Sequence, residues 1–497
     1  MISYSRLVFL ILVLALGSCG PQHKQAAEIV VENKIEIEKE VEDLLRTQLE
    51  QYNDDSLLII GKDTLFTAFW INKFFLANNF KPIWTLEEQL TPSGRQLFNV
   101  LDSLYWYGLF QENYNTKNLL QIKEQIKNQN SDQISITRLY ELNILLTDQL
   151  LKLIIHLRDG TINPYTLKSE WKGKQTDSTL LPLMQLVVSS KDLHSVINSV
   201  EPNRAEYKFL KQHLIKCLTV LKSEIFSDKI FSNDSLYKNL SVILLNMERW
   251  RWEKETAEDY SIFINIPSYS FRFYACDTLA LTSKIICGKP STPSPYRLDS
   301  KINHYYVYPY WIIPFSIATK EILPKLKSDP YYLLNNNIQV LDKQGNIVVD
   351  SIDWKKYSKR SFPFTLRQRD GDENTLGVLK FIFPNKYGIY LHDTNAPGLF
   401  KKEMRALSHG CIRLEMARQL AALISTCCSR DFNNDSLQYY ISTKERHKVN
   451  LEIQLPVHIR YFTAEADSTK IIFFKDVYRI DSVMKVVYKI PETFSIL

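Results

Sequence analysis

The spacing of hydrophobic residues along this chain changes near residue 259. Before that point, apolar residues recur every three or four positions, which places them on one face of a helix. The clearest run of this kind is Leu139, Leu142, Leu146, Leu150, Leu153 and Leu157. It stops at Asp159-Gly160, with Pro164 beyond, as helices commonly do. We therefore predict an all-helical unit over residues 37–252, with leucine stripes as its core.

From residue 259 onward, apolar and polar residues alternate, as in the run YSIFINIPSYSFRFYACDTLALTSKIICG. Alternation with period two is typical of strands that have one buried face. The pattern predicts a β-rich unit over residues 258–432, interrupted by a helical and polar insert at about 318–374. Residues 433–497 read as further strands that return to these units. The predicted fold class is therefore α+β.

One stretch near the end of this unit combines regular structure with reactive side chains. Leu379–Phe383 and Ile389–His392 read as the arms of a β-hairpin, joined by a turn at Pro384–Gly388. Apolar residues at helical spacing predict a helix that starts near Glu415. Cys411 would then lie in a loop that leads into this helix, where the positive helix end favours a thiolate.

A nucleophilic cysteine needs a base within hydrogen-bond reach. Two histidines qualify: His409 lies two residues before Cys411, and His392 lies 19 residues before it, at the end of a predicted strand. Gly410 would let the backbone approach a substrate and leave amides free for an oxyanion. The alternatives are a structural cysteine and a zinc site made by two histidines and one cysteine. No further ligand stands nearby at a suitable spacing, so we expect no metal.

The block YLHDTNAPGLFKKEMRALSHGCIRLEM resembles the catalytic domain of L,D-transpeptidases. The family signature is an upstream histidine, here His392, followed after a loop by Ser-His-Gly-Cys, here residues 408–411. The runs NHYYVYPYWIIPFSIATKEILPKL, KPIWT and LRDGTINP look like the large multi-domain members from Gram-negative bacteria, which have a helical scaffold and a lid. The insert at 318–374 matches that lid in position.

The resemblance implies a role for each matching residue. Cys411 would be the nucleophile and His392 the general base, oriented by the backbone carbonyl of Asp393. His409 and Gly410 would shape the oxyanion pocket. The expected substrate-binding residues are Arg413, Ser408, Tyr390 and Arg405.

The resemblance also implies the substrate, which is the peptidoglycan stem peptide. A donor tetrapeptide would form a thioester and lose its terminal D-Ala, and the side-chain amine of a second stem would then make a 3→3 cross-link. No cofactor is expected, because a nucleophile, a base and oxyanion donors suffice for acyl transfer. Two alternatives remain: an L,D-carboxypeptidase that uses water as acceptor, and a non-catalytic envelope scaffold protein.

The first 19 residues read as a targeting segment. Arg6 precedes the apolar run LVFLILVLAL, which is much shorter than the roughly 20 residues of a membrane span. Leu16-Gly17-Ser18-Cys19 resembles a lipobox, which predicts a lipoprotein signal peptide and lipidation of Cys19. The alternative is an ordinary secretory signal. Residues 20–36 would be a polar tether, and the protein would face the periplasm, anchored to either membrane of the envelope.

Composition adds limits to this picture. The chain has 497 residues and a net charge of +6, and no basic block suggests nucleic acid as a partner. Seven cysteines are present. If Cys19 is lipidated and Cys411 is free, five remain, so not all of them can pair. Cys276 and Cys287 flank a predicted hairpin and could form a disulfide, although the sequence does not decide this.

Overall fold

The chain folds into two compact units. The computed structural model describes residues 21–52, 58–61, 63–65, 67–114, 116–127, 135–167, 177–226, 234–254 and 258–490. Unit 1 comprises the described residues up to Glu253, together with Ala466–Lys470 and the segment from Lys485. Unit 2 comprises the described residues between Lys254 and Glu465, and Ile471–Met484. The predicted signal peptide and Cys19 lie outside the described residues.

Unit 1 is helical, and its core is the leucine stripe of its longest inner helix, which is almost entirely buried. Its helices are α1 Pro21–Glu50, α2 Ala68–Ala77, α3 Pro92–Asp102, α4 Thr116–Lys127, α5 Ile136–Asp159, α6 Leu180–Ser189, α7 Leu193–Val200, α8 Ala205–Phe226 and α9 Asp234–Arg251. Two small hairpins complete it: β1 Ile59–Ile60 with β2 Asp63–Thr64, and β3 Thr85–Leu86 with β4 Gln89–Leu90.

The KPIWT segment docks onto α5 through buried polar contacts. Asn143 Oδ1 accepts hydrogen bonds from the amides of Ile83 and Trp84, each at 2.9 Å. The indole of Trp84 donates to Thr147 Oγ1 at 2.8 Å. Because these polar groups are buried, each needs a partner, and the short segment and the helix satisfy each other.

A buried charge cluster joins α9 to the last helix of the chain, α15 Ile480–Tyr488. Arg251 donates to Glu248 at 3.2 Å and to the hydroxyl of Tyr488 at 2.9 Å. That hydroxyl donates to the carbonyl of Gly108 at 2.7 Å. Because these buried polar groups need partners, the hydrogen bonds of Tyr488 hold the end of α15 within unit 1.

The tether over residues 20–36 stays a prediction; the structure places these residues, from Pro21 onward, within α1, which continues to Glu50. The later part of this helix carries Val41, Leu45 and Leu49, which are buried in the unit 1 core. None of the described helices combines the length and apolar character needed to cross a bilayer.

Unit 2 is mixed, with most of its strands in one sheet. Its strands are β5 Tyr260–Asn265, β6 Ser270–Ala275, β7 Thr278–Gly288, β8 Leu298–Val307, β9 Trp311–Ile312, β10 Ile338–Leu341, β11 Thr365–Gln368, β12 Leu379–Ile382, β13 Leu391–His392, β14 Ala406–Ser408, β15 Ile412–Leu414, β16 His447–Arg460, β17 Ala464–Ala466 and β18 Ile471–Phe473. Its remaining helices are α10 Phe315–Ile317, α11 Leu323–Ser328, α12 Tyr332–Asn335, α13 Ala417–Cys427 and α14 Asn434–Thr443. The α+β prediction is confirmed.

The main sheet has nine strands in the order β14-β7-β15-β13-β12-β8-β16-β5-β6. The long strand β7 also pairs with β6, so the sheet curls back on itself. The pairing of β13 with β15 is parallel, while β13 pairs with β12 in antiparallel fashion. These three neighbouring strands carry the predicted hairpin and the end of the cysteine loop.

The two faces of these strands differ in character. The apolar face packs into one core with α13, and the hydroxyl of Tyr305 on β8 lies 2.7 Å from Ser425 Oγ on that helix. The residues of β12, β13 and β15 on this face are Leu379, Phe381, Leu391, Ile412 and Leu414. The opposite face carries the polar residues that alternate with them.

The insert differs from its prediction. It is not only helical and polar, because β10, β11 and β9 form a separate three-stranded sheet. Ile322, Leu326, Val340 and Leu366 belong to a hydrophobic core of its own. Strands of two to four residues that pair over long sequence separations leave little periodicity, so the sequence pattern did not reveal them.

Two further expectations need correction. The C-terminal region was predicted as strands, but it also contains α14 and α15. Cys276 and Cys287 do not flank a hairpin; they stand near opposite ends of β7, on the order of 30 Å apart at about 3.3 Å per residue. Both are free thiols, so they form no disulfide.

Candidate active site

The site lies on the polar face of β12, β13 and β15. The register places Lys380 opposite His392 and His392 opposite Arg413, so these three side chains form a row across the sheet. Cys411 directly precedes β15, and the next amide, of Ile412, donates to the carbonyl of Tyr390 at 3.1 Å. Parallel pairing therefore sets Cys411 beside Tyr390, two positions along from the row and on the same face.

His392 is held in one tautomer. It is only 3% exposed, and its Nδ1 lies 2.6 Å from the backbone oxygen of Asp393. Since a carbonyl only accepts, Nδ1 carries the proton and Nε2 keeps its lone pair. Burial, together with the nearby charges of Arg413 and Lys380, lowers the pKa of His392 to about 3. The ring is thus neutral at pH 7, as a proton acceptor requires.

The same burial acts on Cys411 in the opposite direction. It raises the pKa of the thiol, while hydrogen bonds from Tyr390 and the positive charges of Lys380 and Arg413 partly offset this. The expectation that a helix end favours the thiolate is wrong, because β15 separates Cys411 from α13, which begins at Ala417. The helix field fades within about one turn. Thiol and imidazole therefore rest as a neutral pair.

The loop before Cys411 is braced by Ser408. Its hydroxyl donates to the carbonyl of Cys411 at 2.5 Å and accepts from the amide of Gly410 at 3.1 Å. Ser294 Oγ donates to the carbonyl of Gly410 at 2.7 Å. Ser408 is 3% exposed and its hydroxyl is engaged within the loop, and its substrate-binding role stays a prediction. The Gly410 amide is also taken and is not free for an oxyanion, contrary to expectation.

We expect Ser408→Ala to lower the free energy of unfolding by about 2 kcal/mol, because two buried backbone groups lose their partner. Urea unfolding of unit 2, followed by hydrogen exchange of the β14 and β15 peptides, measures this. Ser436→Ala, at a partly exposed position whose hydroxyl bonds the side chain of Asn433, is the control. Equal stability of the Ser408→Ala and Ser436→Ala variants would contradict the bracing role.

His409 is directed toward the insert. Its Nε2 lies 2.7 Å from Glu321 Oε1, and the two side chains are 35% and 48% exposed. Glu321 belongs to a π-helical turn, Ala318–Ile322, between α10 and α11. The side chain of His409 therefore joins the cysteine loop to the insert, and its expected place in the oxyanion pocket is not supported.

Arg405 is engaged by backbone carbonyls. It donates to Ile285 at 3.1 Å, Lys402 at 2.9 Å and Tyr269 at 3.3 Å, and its guanidinium lies 5.1 Å from the centre of the Tyr269 ring. These contacts give Arg405 a structural role, and its substrate-binding role stays a prediction. Tyr390 and Arg413, by contrast, lie beside Cys411, as the site requires.

The sequence prediction missed Lys380, which lies next to His392 in the row. Its Nζ is 4.0 Å from the centre of the Tyr390 ring. The signal was present, because alternation around the buried Phe381 places Lys380 on the face of His392 once the hairpin is paired. Glu321 and Ser294 carried no comparable signal, since both meet the cysteine loop through contacts between segments that are distant in sequence. Across the described residues, no cluster of three or more His, Cys, Asp or Glu could hold a metal ion.

The neutral state of His392 predicts a pH-dependent stability. In the unfolded chain His392 has a pKa of about 6.5 and is protonated below that pH. In the folded protein its lowered pKa keeps the ring neutral in the same range. The stabilisation is therefore complete above pH 6.5 and falls as the pH drops, by about 2 kcal/mol at pH 5. Urea unfolding followed by hydrogen exchange of the β12 and β13 peptides at pH 7 and pH 5 measures it. His392→Gln should lose this difference, and an unchanged slope would contradict the buried neutral ring.

One cysteine and one neutral histidine lie on the same face of a β-sheet. This is the class of site that is suited to acyl transfer. Residues 259–449 match the family model of the L,D-transpeptidase catalytic domain, and residues 70–214 match that of a scaffold domain. A provisionally named L,D-transpeptidase of Haemophilus influenzae (strain Rd) is 27% identical over 415 residues, covering 82% of this chain and 77% of that protein. Residues 259–449 of the chain thus match an L,D-transpeptidase catalytic domain, which confirms the resemblance read from the sequence.

Solved structures are more distant. An L,D-transpeptidase from Mycobacterium smegmatis is 14% identical with a TM-score of 0.18, over 40% of this chain and 57% of that one. L,D-transpeptidase 1 of Mycobacterium tuberculosis is 15% identical with a TM-score of 0.14, over 41% and 62%. The chain thus spans somewhat more than half of these solved chains, and likenesses this weak add nothing to the assignment.

Proposed function

We propose that this protein forms 3→3 cross-links between peptidoglycan stem peptides through a thioester on Cys411. One observation carries the proposal: the Asp393 carbonyl fixes the proton of His392 on Nδ1, which leaves Nε2 as a base on the face where Cys411 lies. The match to the L,D-transpeptidase catalytic domain supports the substrate class.

In the first half-reaction, the thiol proton of Cys411 passes to His392 Nε2 as sulfur attacks the carbonyl of the third stem residue. The imidazolium that forms is opposed by burial and by two neighbouring cations, so it readily returns its proton. That proton goes to the amine of the departing D-Ala. A carbon–sulfur bond has replaced the amide bond, and His392 is neutral again.

In the second half-reaction, the side-chain amine of another stem attacks the thioester. His392 takes a proton from this amine, and the departing sulfur of Cys411 recovers it. The net change exchanges one amide for another and releases D-Ala. For the tetrahedral oxyanion we assign the amide of Cys411, which makes no hydrogen bond within the described part of unit 2, whereas the Gly410 amide is already bonded.

Incubation of the purified protein with disaccharide tetrapeptides, followed by mass spectrometry, tests the proposal. Cross-linked dimers with loss of D-Ala are the expected products. Tripeptides alone would mean that water is the acceptor and would make the protein an L,D-carboxypeptidase. Absence of both products would favour the non-catalytic scaffold reading. Cys276→Ala, which removes an exposed thiol, should leave the products unchanged.

We also propose that the protein works in the cell envelope as a lipoprotein. Support comes from the sequence alone, through the apolar run before Cys19 and the lipobox-like Leu16-Gly17-Ser18-Cys19. A lipid on Cys19 would hold the enzyme at a membrane surface without spanning it.

A further inference from the structure

Two partly buried cations flank the proposed base without a carboxylate partner. Lys380 and Arg413 stand on either side of His392 in the cross-strand row. Within the described residues, neither makes an ion pair or a side-chain hydrogen bond, and Arg413 Nε is buried with no partner. Burial of the two cations lowers the pKa of each. Burying a cation without a partner costs free energy, so this pair of cations is suited to binding an anionic ligand.

Three other buried cations of this protein each have a carboxylate close by. These pairs are Lys152 with Asp148 at 3.0 Å, Arg251 with Glu248 at 3.2 Å and Arg460 with Asp299 at 2.5 Å. Lys380 and Arg413 differ from these three pairs, because neither has a carboxylate partner within the described residues. The difference occurs on the face of the sheet that carries Cys411.

The surroundings of Lys380 keep its ammonium group at the site. Its Nζ lies 4.0 Å from the centre of the Tyr390 ring, and Tyr390 in turn contacts Cys411. An aromatic face attracts a cation but leaves its other N–H directions open. Lys380 can therefore hold its position against Tyr390 and still donate to an incoming oxygen.

We propose that Lys380 and Arg413 together form a subsite for a substrate carboxylate beside Cys411, with Lys380 as a specificity-determining residue. This inference rests on the proposed function for the identity of its ligand. A donor stem offers two carboxylates near the scissile bond: that of the terminal D-Ala, and that of the diamino acid side chain. Either would satisfy the two cations and place the carbonyl near the sulfur.

Alkylation of Cys411 tests the subsite without any peptidoglycan. Iodoacetate and iodoacetamide react alike: the thiolate forms a carbon–sulfur bond, iodide leaves, and the thiol proton goes to the buffer. Only iodoacetate carries a carboxylate, so the ratio of their rates isolates the effect of that group. Mass spectrometry of the peptide that contains Cys411 separates this reaction from those of the other cysteines.

The iodoacetate-to-iodoacetamide ratio should exceed that of free cysteine by about tenfold, as for a hydrogen bond to a charged group. Lys380→Gln should remove most of this excess, and Lys380→Arg should restore it. Lys386→Gln, which removes an exposed lysine that also lies over a tyrosine ring, is the matched control. A wild-type ratio no higher than that of free cysteine would overturn the subsite, whatever the variants do.

Tetrapeptides in which one carboxylate is amidated identify the source of the ligand. Amidation of the group that binds should raise KM about tenfold in the wild type and have little effect in Lys380→Gln. If neither amidation changes KM, the carboxylate subsite does not serve the donor. If the alkylation ratio behaves as expected but no peptide is processed, the proposed function fails while the subsite stands.

Discussion

Replacement of Cys411 by alanine is expected to abolish acylation of the protein completely. No other described thiol has both a neutral imidazole and a cationic pair on its face of the sheet, and acyl transfer cannot proceed without the sulfur. Intact mass after exposure to a carbapenem measures this directly. Wild-type protein should gain the mass of one inhibitor, and Cys411→Ala should gain none.

The matched controls are Cys276→Ala and Cys217→Ala, which remove an exposed and a half-buried free thiol. Both should acquire one adduct, as the wild type does. An adduct on Cys411→Ala would place the nucleophile elsewhere. Since burial raises the pKa of Cys411, its alkylation rate should also continue to increase above pH 9.

Replacement of His392 by glutamine is expected to reduce kcat/KM for the tetrapeptide donor by 10²–10⁴-fold, on the order expected for loss of a general base. Glutamine is close to histidine in size, so the buried site stays filled, but its amide cannot accept the proton. Steady-state measurement of D-Ala release provides the value. Binding of the donor should change much less than turnover.

The control for this prediction is His409→Gln. Its ring contacts Glu321 of the insert, so its loss should alter the loop but spare the proton transfer. We expect an effect well below that of His392→Gln. A larger loss from His409→Gln would mean that the base has been assigned to the wrong histidine.

The sequence predicted the parts of this site that depend on alternation. Apolar residues at every second position around His392 placed it at a strand end, and the structure has β12 and β13 paired as a hairpin. The spacing of the leucine stripe likewise predicted α5 and the unit 1 core. These features follow from local periodicity, which is visible in short stretches of the sequence.

What the sequence did not reveal depends on pairing between distant segments. The strand β15 has three residues and lies directly before a helix, so its pattern merged with that of α13. Because β15 was not recognised, Cys411 was placed at the end of a helix, and the predicted stabilisation of its thiolate by that helix was wrong. The sequence also did not show that the Gly410 amide is occupied, because its hydrogen bond to the Ser408 hydroxyl forms only in the folded loop.

The cluster around Arg251 has a consequence for the order in which the protein is made. Tyr488 supplies a hydroxyl that Arg251 and Gly108 both use, yet the ribosome adds it more than 230 residues after Arg251. Most of unit 1 is synthesised early. The hydrogen bond from Arg251 to Tyr488 can form only after Tyr488 has been added. A chain cut short before Tyr488 would leave Arg251 and the carbonyl of Gly108 without this hydroxyl.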